Sequence, residues 1–360
     1  MGANKSIREG IAKLVEGSDL ARIEAEEIMS EIMSGKATEA QITAFLTALR
    51  MKGETVEEVT AFASVMRSFC RQIHPKVTGL LVDTCGTGGD KVKTFNISTA
   101  AAFVAAGAGV SVAKHGNRSV TSRCGSADVL EALGLNLEMT PALVEKSIEE
   151  VGIGFMFAPS FHPAMRYAIS PRREIGIRTV FNLLGPLTNP ANAKAQLLGV
   201  YDENLTEPLA RVLDNLEVEQ AMVVHGLDGL DEISTIGQTK ITLLKNGEIS
   251  TSRVSPEDLG LKTVEKRAIE GSTPEESAST TFKILNCRGS SAGKDNPKCD
   301  IVLVNAAAAI HVGSKAETIE EGMEAARESI QSGSAYKKLR SLIKFSGGDM
   351  SKLEELENRE

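Results

Sequence analysis

The chain has 360 residues, 42% hydrophobic and 24% charged, which suits a soluble globular protein with room for two domains. A formal net charge of −8 speaks against a nucleic-acid surface, and the longest apolar-rich run, Ala100–Val112, is too short and too rich in Gly and Ala to cross a membrane. Aromatics are 4% and Trp is absent, so an aliphatic core is expected; the five dispersed cysteines (Cys70, Cys85, Cys124, Cys287, Cys299) favour reduced thiols in a cytoplasmic protein over disulfides or zinc.

The first 74 residues read as helix after helix. Ser6–Glu16 stops at Gly17, and Asp19–Ser34 stops at Gly35, as left-handed glycine caps do. Thr38-x-x-Gln41 is a capping box opening a helix that runs to Gly53, with Ile42, Phe45, Leu46 and Leu49 at helical spacing. Thr55-x-x-Glu58 opens a fourth helix, expected to end near His74-Pro75.

The rhythm then changes. Leu80–Asp83 is a short apolar run bounded by glycine, as a buried strand is. An Ala-rich helix follows from Ser98 to about Gly107, then a strand over Val110–Ala113, a helix over Ser126–Leu133 closed by Gly134, and a helix opened by Thr140-Pro141. Phe155–Phe157, Leu197–Val200, Ala221–Val224, Ile241–Leu244 and Ile301–Val304 are further strand candidates. Alternation of this kind predicts an α/β fold with a mostly parallel central sheet covered on both faces. Arg166–Ala195 interrupts it with helices and Leu184-Gly-Pro-Leu-Thr-Asn-Pro190. The expected division is a small helical N-terminal domain over 1–75 with 166–195 packed on it, a larger α/β domain over 76–165 and 196–345, and an acidic tail over 346–360. Lys352–Glu360 reads as a frayed helix end, and Arg288–Asn296 as a mobile surface loop.

Residues 83–126 carry the chemistry. A parallel sheet takes ligands at the carboxyl ends of its strands, and Gly86-Thr-Gly-Gly-Asp90 directly follows the first strand. Its glycines let successive main-chain N–H groups converge on an anion. Asn96-Ile-Ser-Thr99 opens the next helix, where free N–H groups and hydroxyls suit a phosphate or a metal-bound oxygen. Alone, such a turn is as often merely tight, and it matches neither a Walker loop nor a dinucleotide fingerprint. Lys114-His-Gly-Asn-Arg118 follows the second strand and so belongs at the same edge, with two cations, an imidazole and an amide. Ser119, Thr121, Ser122 and Arg123 come next, and Ser126 can cap a helix aimed at the same point. The set reads as a cradle for a polyanion such as a phosphorylated sugar. It contains no obvious nucleophile with its base.

At these motifs the chain closely resembles the anthranilate phosphoribosyltransferases. The likeness runs through Gly-Thr-Gly-Gly-Asp90, Asn-Ile-Ser-Thr-Ala100, Lys-His-Gly-Asn-Arg118, Gly-Ser-Ala-Asp-Val-Leu-Glu-Ala-Leu-Gly134, Arg172-Arg-Glu-Ile-Gly-Ile-Arg-Thr-Val-Phe-Asn182, Leu-Gly-Pro-Leu-Thr-Asn-Pro190 and Asp231-Glu232. The family moves a phosphoribosyl group from phosphoribosyl pyrophosphate (PRPP) to the amine of anthranilate in tryptophan synthesis. It implies a fold of nucleoside phosphorylase/phosphoribosyltransferase type, Mg²⁺, and a homodimer formed through the helical domain. By resemblance, Gly86, Gly89, Asp90, Thr94, Asn96, Ile97, Ser98, Thr99, Lys114, Ser122 and Ser126 contact PRPP. Ser98, Asp231 and Glu232 match the metal positions, and Gly86, Asn117 and Arg172 the anthranilate contacts. Thr121 and Cys124 stand where the family commonly has Ser, which leaves no hydroxyl at Cys124.

Lys114, His115, Asn117 and Arg172 are the expected catalytic set. Arg172 can clamp the anthranilate carboxylate in bidentate fashion; on sequence alone, Arg172-Arg173 is equally a surface basic pair. His115 is read as positioning rather than as a base, since an aniline loses its proton readily once the new bond forms. His162 and His225 are read as structural. Adjacent carboxylates diverge in a strand, so Asp231-Glu232 belong in a loop or hold two ions, and Gly226-Leu-Asp-Gly-Leu230 favours the loop. Without the resemblance they read as a solvated acidic turn. The competing readings are a pyrimidine nucleoside phosphorylase of the same architecture, and a non-catalytic relative that binds nucleic acid.

Overall fold

The computed structural model describes residues 5–89, 92–119, 124–271, 273–287 and 296–359. Four helices open the chain: α1 Lys5–Val15, α2 Arg22–Met33, α3 Glu39–Lys52 and α4 Val56–Phe69. Both expected capping boxes form. Gln41 N–H donates to Thr38 Oγ1 at 3.2 Å while Thr38 N–H donates to Gln41 Oε1 at 2.9 Å, and Thr55 and Glu58 repeat the exchange. The fourth helix ends before His74-Pro75, at Phe69. Beyond it, Arg71 N–H donates to Phe161 O and Ile73 N–H to Pro190 O. Those long-range partners draw the chain out of helical geometry.

The remaining elements are β1 Leu81–Gly86, α5 Ile97–Gly107, β2 Ser111–Gly116, α6 Ser126–Ala132, α7 Pro141–Val151, β3 Ile153–Phe157, α8 Ala158–Phe161, α9 Arg166–Ile175, α10 Phe181–Leu187, β4 Ala195–Gly199, α11 Thr206–Asn215, β5 Gln220–Gly226, β6 Thr239–Lys245, β7 Glu248–Val254, α12 Pro274–Asn286, α13 Pro297–Val312, α14 Ile319–Gln331, α15 Ser334–Phe345 and α16 Met350–Glu357. The strands form a seven-stranded sheet in the order β3-β2-β1-β4-β5-β6-β7. Five are parallel; β6 and β7 add an antiparallel edge. The mostly parallel sheet is thus as expected.

Alternate residues of the central strands feed two apolar cores, as the two-residue period of a strand requires. Leu197, Met222 and Val224 join the core built with α5, α13, α14 and α15. Leu198, Val200, Ala221 and Val223 join the core shared with the N-terminal helices, α10 and α11. Helix α9 packs against α2 and α3, and α10 against α4.

Three expectations are corrected. Ile301–Val304 is not a strand but part of α13, a buried helix packed on α5 and α14. A short apolar run reads alike in a buried strand and a buried helix; here Pro297 at the first turn and Asn296, whose Oδ1 accepts from Lys298 and Cys299 N–H, decide it. Strand β7 was not expected, because its Glu-Ile-Ser-Thr-Ser-Arg-Val is polar and mostly exposed. Finally, the tail is not frayed over Lys352–Glu357: α16 buries Leu353 in the larger core, and Tyr336 Oη bonds the Glu357 carboxylate. The loop expected over 288–296 lies outside the described residues save for Asn296.

Candidate functional site: a cleft at the carboxyl edge of the sheet

The parallel strands bring their carboxyl ends to one edge, with Gly86 beside Gly199 and Gly116 beside Phe157. The glycine turn after β1 is fastened to its neighbours. Thr87 N–H donates to Gly199 O at 2.9 Å, and Tyr201 N–H to Thr87 Oγ1 at 3.1 Å. Gly88 and Gly89 take the left-handed conformation, with φ of 67° and 78°. Gly88 N–H donates to Asp231 Oδ2 at 2.9 Å. Glycine at 86 and 199 is what admits Asp231 so close: a Cβ at Gly86 would stand 2.4 Å from Asp231 Oδ2, and one at Gly199 1.5 Å from Asp231 O.

Asn96 precedes α5 without capping it; its Nδ2 donates to Cys124 O at 3.3 Å, and its buried Oδ1 has no partner among the described residues. Ser98 sits in the first turn, where the helix presents N–H groups. Strand β2 runs on through Gly116, so Lys114 and His115 are strand residues rather than turn residues and face opposite ways. The Lys114 side chain is 3% exposed. Its Nζ donates to Thr84 O at 2.6 Å and to Ser98 Oγ at 3.3 Å. Burial pulls its pKa below the usual lysine value, while the buried Asp83 carboxylate opposes that.

On the other face, the His115 ring lies 4.9 Å from that of His162. Burial holds His115 well below its ordinary pKa and His162 at about 4, so both rings are neutral near neutral pH. The Nε2 atoms of both have no partner among the described residues.

Asn117 ties the β2 turn to α6. Its carbonyl accepts from Ala127 N–H at 3.2 Å and Ser126 Oγ at 3.4 Å, and its Oδ1 from Arg118 N–H at 2.8 Å. Arg118 is not a free cation for a ligand, contrary to its apparent place in the cationic cluster. Its guanidinium pairs with Asp128 at 3.0 Å and Glu131 at 2.7 Å and covers the Phe157 ring. Arg172, in the last turn of α9, lies 5.1 Å over the Phe181 ring and has no ion-pair partner among the described residues. Partial burial lowers its pKa, yet an arginine stays charged.

These residues surround one cleft of about 360 Å³. Gly86, Gly89, Thr94, Asn96, Ile97, Ser98, Lys114, His115, Asn117, Ser126, Arg172, Asp231 and Glu232 all line it. Thr99 does not: it is fully buried, and its Oγ1 has no partner among the described residues. Asp90, Thr121, Ser122 and Arg123 lie outside the described residues. His225 is structural in its contact, Nδ1 pairing with Val200 O at 2.6 Å. Burial raises the Cys85 thiol, and lifts Cys124 to about 11, so neither is a thiolate near neutral pH.

Two features escape sequence reasoning. Phe181, Asn182 and Gly185 line the cleft along with Arg172; they stand in motifs of the resemblance, but residue type alone does not disclose their place on this wall. Arg178 donates to Gly89 O and stacks over Tyr201. It stands within the Arg172–Asn182 motif, but a motif does not disclose a contact to a main-chain carbonyl.

Asp231 and Glu232 lie in the loop after β5, and burial raises the Asp231 carboxyl above its ordinary value. No group of three or more His, Cys, Asp or Glu is placed to hold a metal among the described residues. Two carboxylates and the Ser98 hydroxyl on one cleft fit a hard cation that takes its remaining ligands from phosphate oxygens and water.

A helical bundle ahead of an α/β domain with a cleft at the sheet edge is the two-part build of one glycosyl transferase family. Residues 8–70 match the glycosyl transferase family's helical bundle domain, and residues 78–336 its a/b domain. The anthranilate phosphoribosyltransferase of Acetivibrio thermocellus is 52% identical over 345 residues, covering 96% of this chain and 98% of the relative. The crystal structure of that enzyme from Thermus thermophilus superposes with a TM-score of 0.87 at 40% identity, over 94% of this chain and 99% of the other. The Saccharomyces cerevisiae enzyme, solved in complex with PRPP and Mg, gives 0.85 at 28% identity, over 96% and 98%. The chain belongs to the anthranilate phosphoribosyltransferase family.

Proposed function

We propose that this cleft transfers the phosphoribosyl group of PRPP to the amine of anthranilate, giving N-(5-phosphoribosyl)anthranilate and pyrophosphate, a step of tryptophan biosynthesis. The observation that carries the reading is the convergence, on one cleft, of the Gly86–Gly89 turn, the start of α5, Lys114, the Asp231-Glu232 pair and Arg172.

In the reaction the bond from the anomeric carbon to pyrophosphate breaks, and a bond to the anthranilate nitrogen forms. Positive charge grows on the ribose and negative charge on the leaving group. The protein's task is to stabilise that departing anion with groups already in place. Gly86, Gly89, Ser98 in the first turn of α5, and Lys114 all line that space. Mg²⁺, which Ser98, Asp231 and Glu232 would hold, would add positive charge beside the pyrophosphate. Arg172 holds the anthranilate carboxylate, and Asn117 its amine or its carboxylate, so that the nitrogen faces the anomeric carbon. The arylammonium proton then leaves, with the substrate's own carboxylate adjacent. His115 is neutral and half-buried beside His162, which supports its reading as a positioning group rather than a strong base.

A homodimer through the helical domain accords with Val15, Ile23 and Met51, large apolar side chains left exposed on it. A cytoplasmic setting accords with five free cysteines, and no described helix is long and apolar enough to cross a membrane.

Anthranilate fluorescence followed on addition of PRPP, with and without Mg²⁺, tests the reading. It should fall only when both PRPP and metal are present. Unchanged fluorescence in the complete mixture would contradict the transfer.

A further inference from the structure

We infer that Arg178 is a positioning residue for the PRPP half of the reaction, fixing the glycine turn from the side of the helical bundle; the inference rests on the transfer proposed above. Arg178 lies in the link between α9 and α10 and does not line the cleft. It reaches the cradle indirectly, its Nη2 donating to Gly89 O.

The guanidinium is itself held in place, with Cζ 4.2 Å over the Tyr201 ring. Tyr201 is joined to the same turn through its N–H on Thr87 Oγ1. The turn is therefore fastened at Thr87 by β4, at Gly88 by Asp231 and at Gly89 by Arg178. The first two bonds come from the sheet side; the third alone comes from the helical side. Gly89 is left-handed, with φ of 78°, and a Cβ there would stand 1.9 Å from Arg178 Nη2 as it is now placed.

The chemistry calls for arginine. A flat guanidinium stacks on an aromatic face and still directs an N–H in its own plane at a carbonyl, which a lysine ammonium cannot do together. Its consequence falls on the sugar donor. With the Thr87 and Gly88 amides already bonded to Gly199 O and Asp231 Oδ2, the bond to Gly89 O fixes the last described residue of the turn, which lines the cleft where the pyrophosphate would lie. Arg172, six residues earlier on α9, faces the acceptor instead, so one short segment serves both halves of the site through separate contacts.

Arg178→Met keeps bulk and removes the bond. PRPP affinity, measured calorimetrically with Mg²⁺, should fall about tenfold or more, the scale of one lost charged hydrogen bond. The KM for anthranilate at saturating PRPP should move less than about twofold, a split that general loosening of the fold would not produce. Arg178→Lys should recover only part of the loss. The double variant Arg178→Met/Tyr201→Ala should bind no worse than the weaker single, because both act through one stacked and bonded guanidinium. Tyr201→Ala, which leaves Arg178 in place and removes its stacking face, should lower PRPP affinity in the same direction. An additive cycle, equal losses toward both substrates, or wild-type PRPP affinity in Arg178→Met or Tyr201→Ala would overturn the inference. A wild-type chain that binds no PRPP would overturn the transfer reading along with it, whereas normal wild-type binding with an additive cycle would remove this inference alone.

Discussion

The two walls of the cleft are made of different material. The wall proposed for the sugar donor is mostly main chain: a left-handed glycine turn, the start of a helix and a buried lysine, all set by parallel strands that end at one edge. The wall proposed for the acceptor is mostly side chain: Arg172 on α9 laid over Phe181, with Asn117 lining the same cleft. The first is rigid because the sheet is buried on both faces; the second is borne by helices that belong to the bundle core. The contrast matches the ligands. Phosphates are recognised by any well-aimed set of N–H groups, whereas one aromatic acid among many needs a placed fork of donors.

If the walls work separately, damage to one should spare the other. The largest effect is expected from Asp231→Asn combined with Glu232→Gln. It should cost about a hundredfold or more in kcat/KM for PRPP and flatten the Mg²⁺ titration; an unaltered titration would reject these residues as metal ligands. Arg172→Ala should come next, with about 1.5–3 kcal/mol lost, roughly ten- to more than a hundredfold in kcat/KM for anthranilate. Steady-state kinetics should then leave the KM for PRPP nearly unchanged, and an equal rise for both substrates would erase the distinction between the walls.

His115→Gln should cost less than about tenfold in kcat, since a positioning group is worth less than a general base. A loss of about a thousandfold would instead assign His115 the proton. The smallest effect concerns stability rather than turnover. Burial holds His162 at about 4 against an ordinary 6.5. The unfolded chain therefore takes up the proton first as pH falls through that window, and stability is lost there, while above 6.5 the residue contributes no pH dependence. The full swing is on the order of 3 kcal/mol. Urea unfolding across this range should slope less in His162→Gln than in the wild type, and equal slopes would contradict the burial of a neutral ring.

The same contrast governs what can be read from sequence. Main-chain chemistry leaves a mark in residue type, because the left-handed turn at 88–89 favours glycine and only glycine admits Asp231 beside 86 and 199. Hence the first wall is legible as a motif. Arg172 carries no such mark: its neighbour Arg173 is exposed, and nothing in a basic pair says which member meets Phe181. Arg118 misleads for a related reason. Its acidic partners on α6 stand 10 and 13 residues away, a pairing that only the fold creates. Among the elements, Ile301–Val304 is ambiguous because burial on all sides erases periodicity. Strand β7 had a signal in Asn246-Gly247, both with positive φ in a tight hairpin, although its polar residues hid it.

The central claim is that pyrophosphate is held by main-chain amides at the strand ends. A crystal structure of the chain with PRPP and Mg²⁺ tests it most directly. The diphosphate should lie against Gly86–Gly89 and the first turn of α5, with the ribose facing Arg172. Clear PRPP density lodged elsewhere on the molecule would contradict the account.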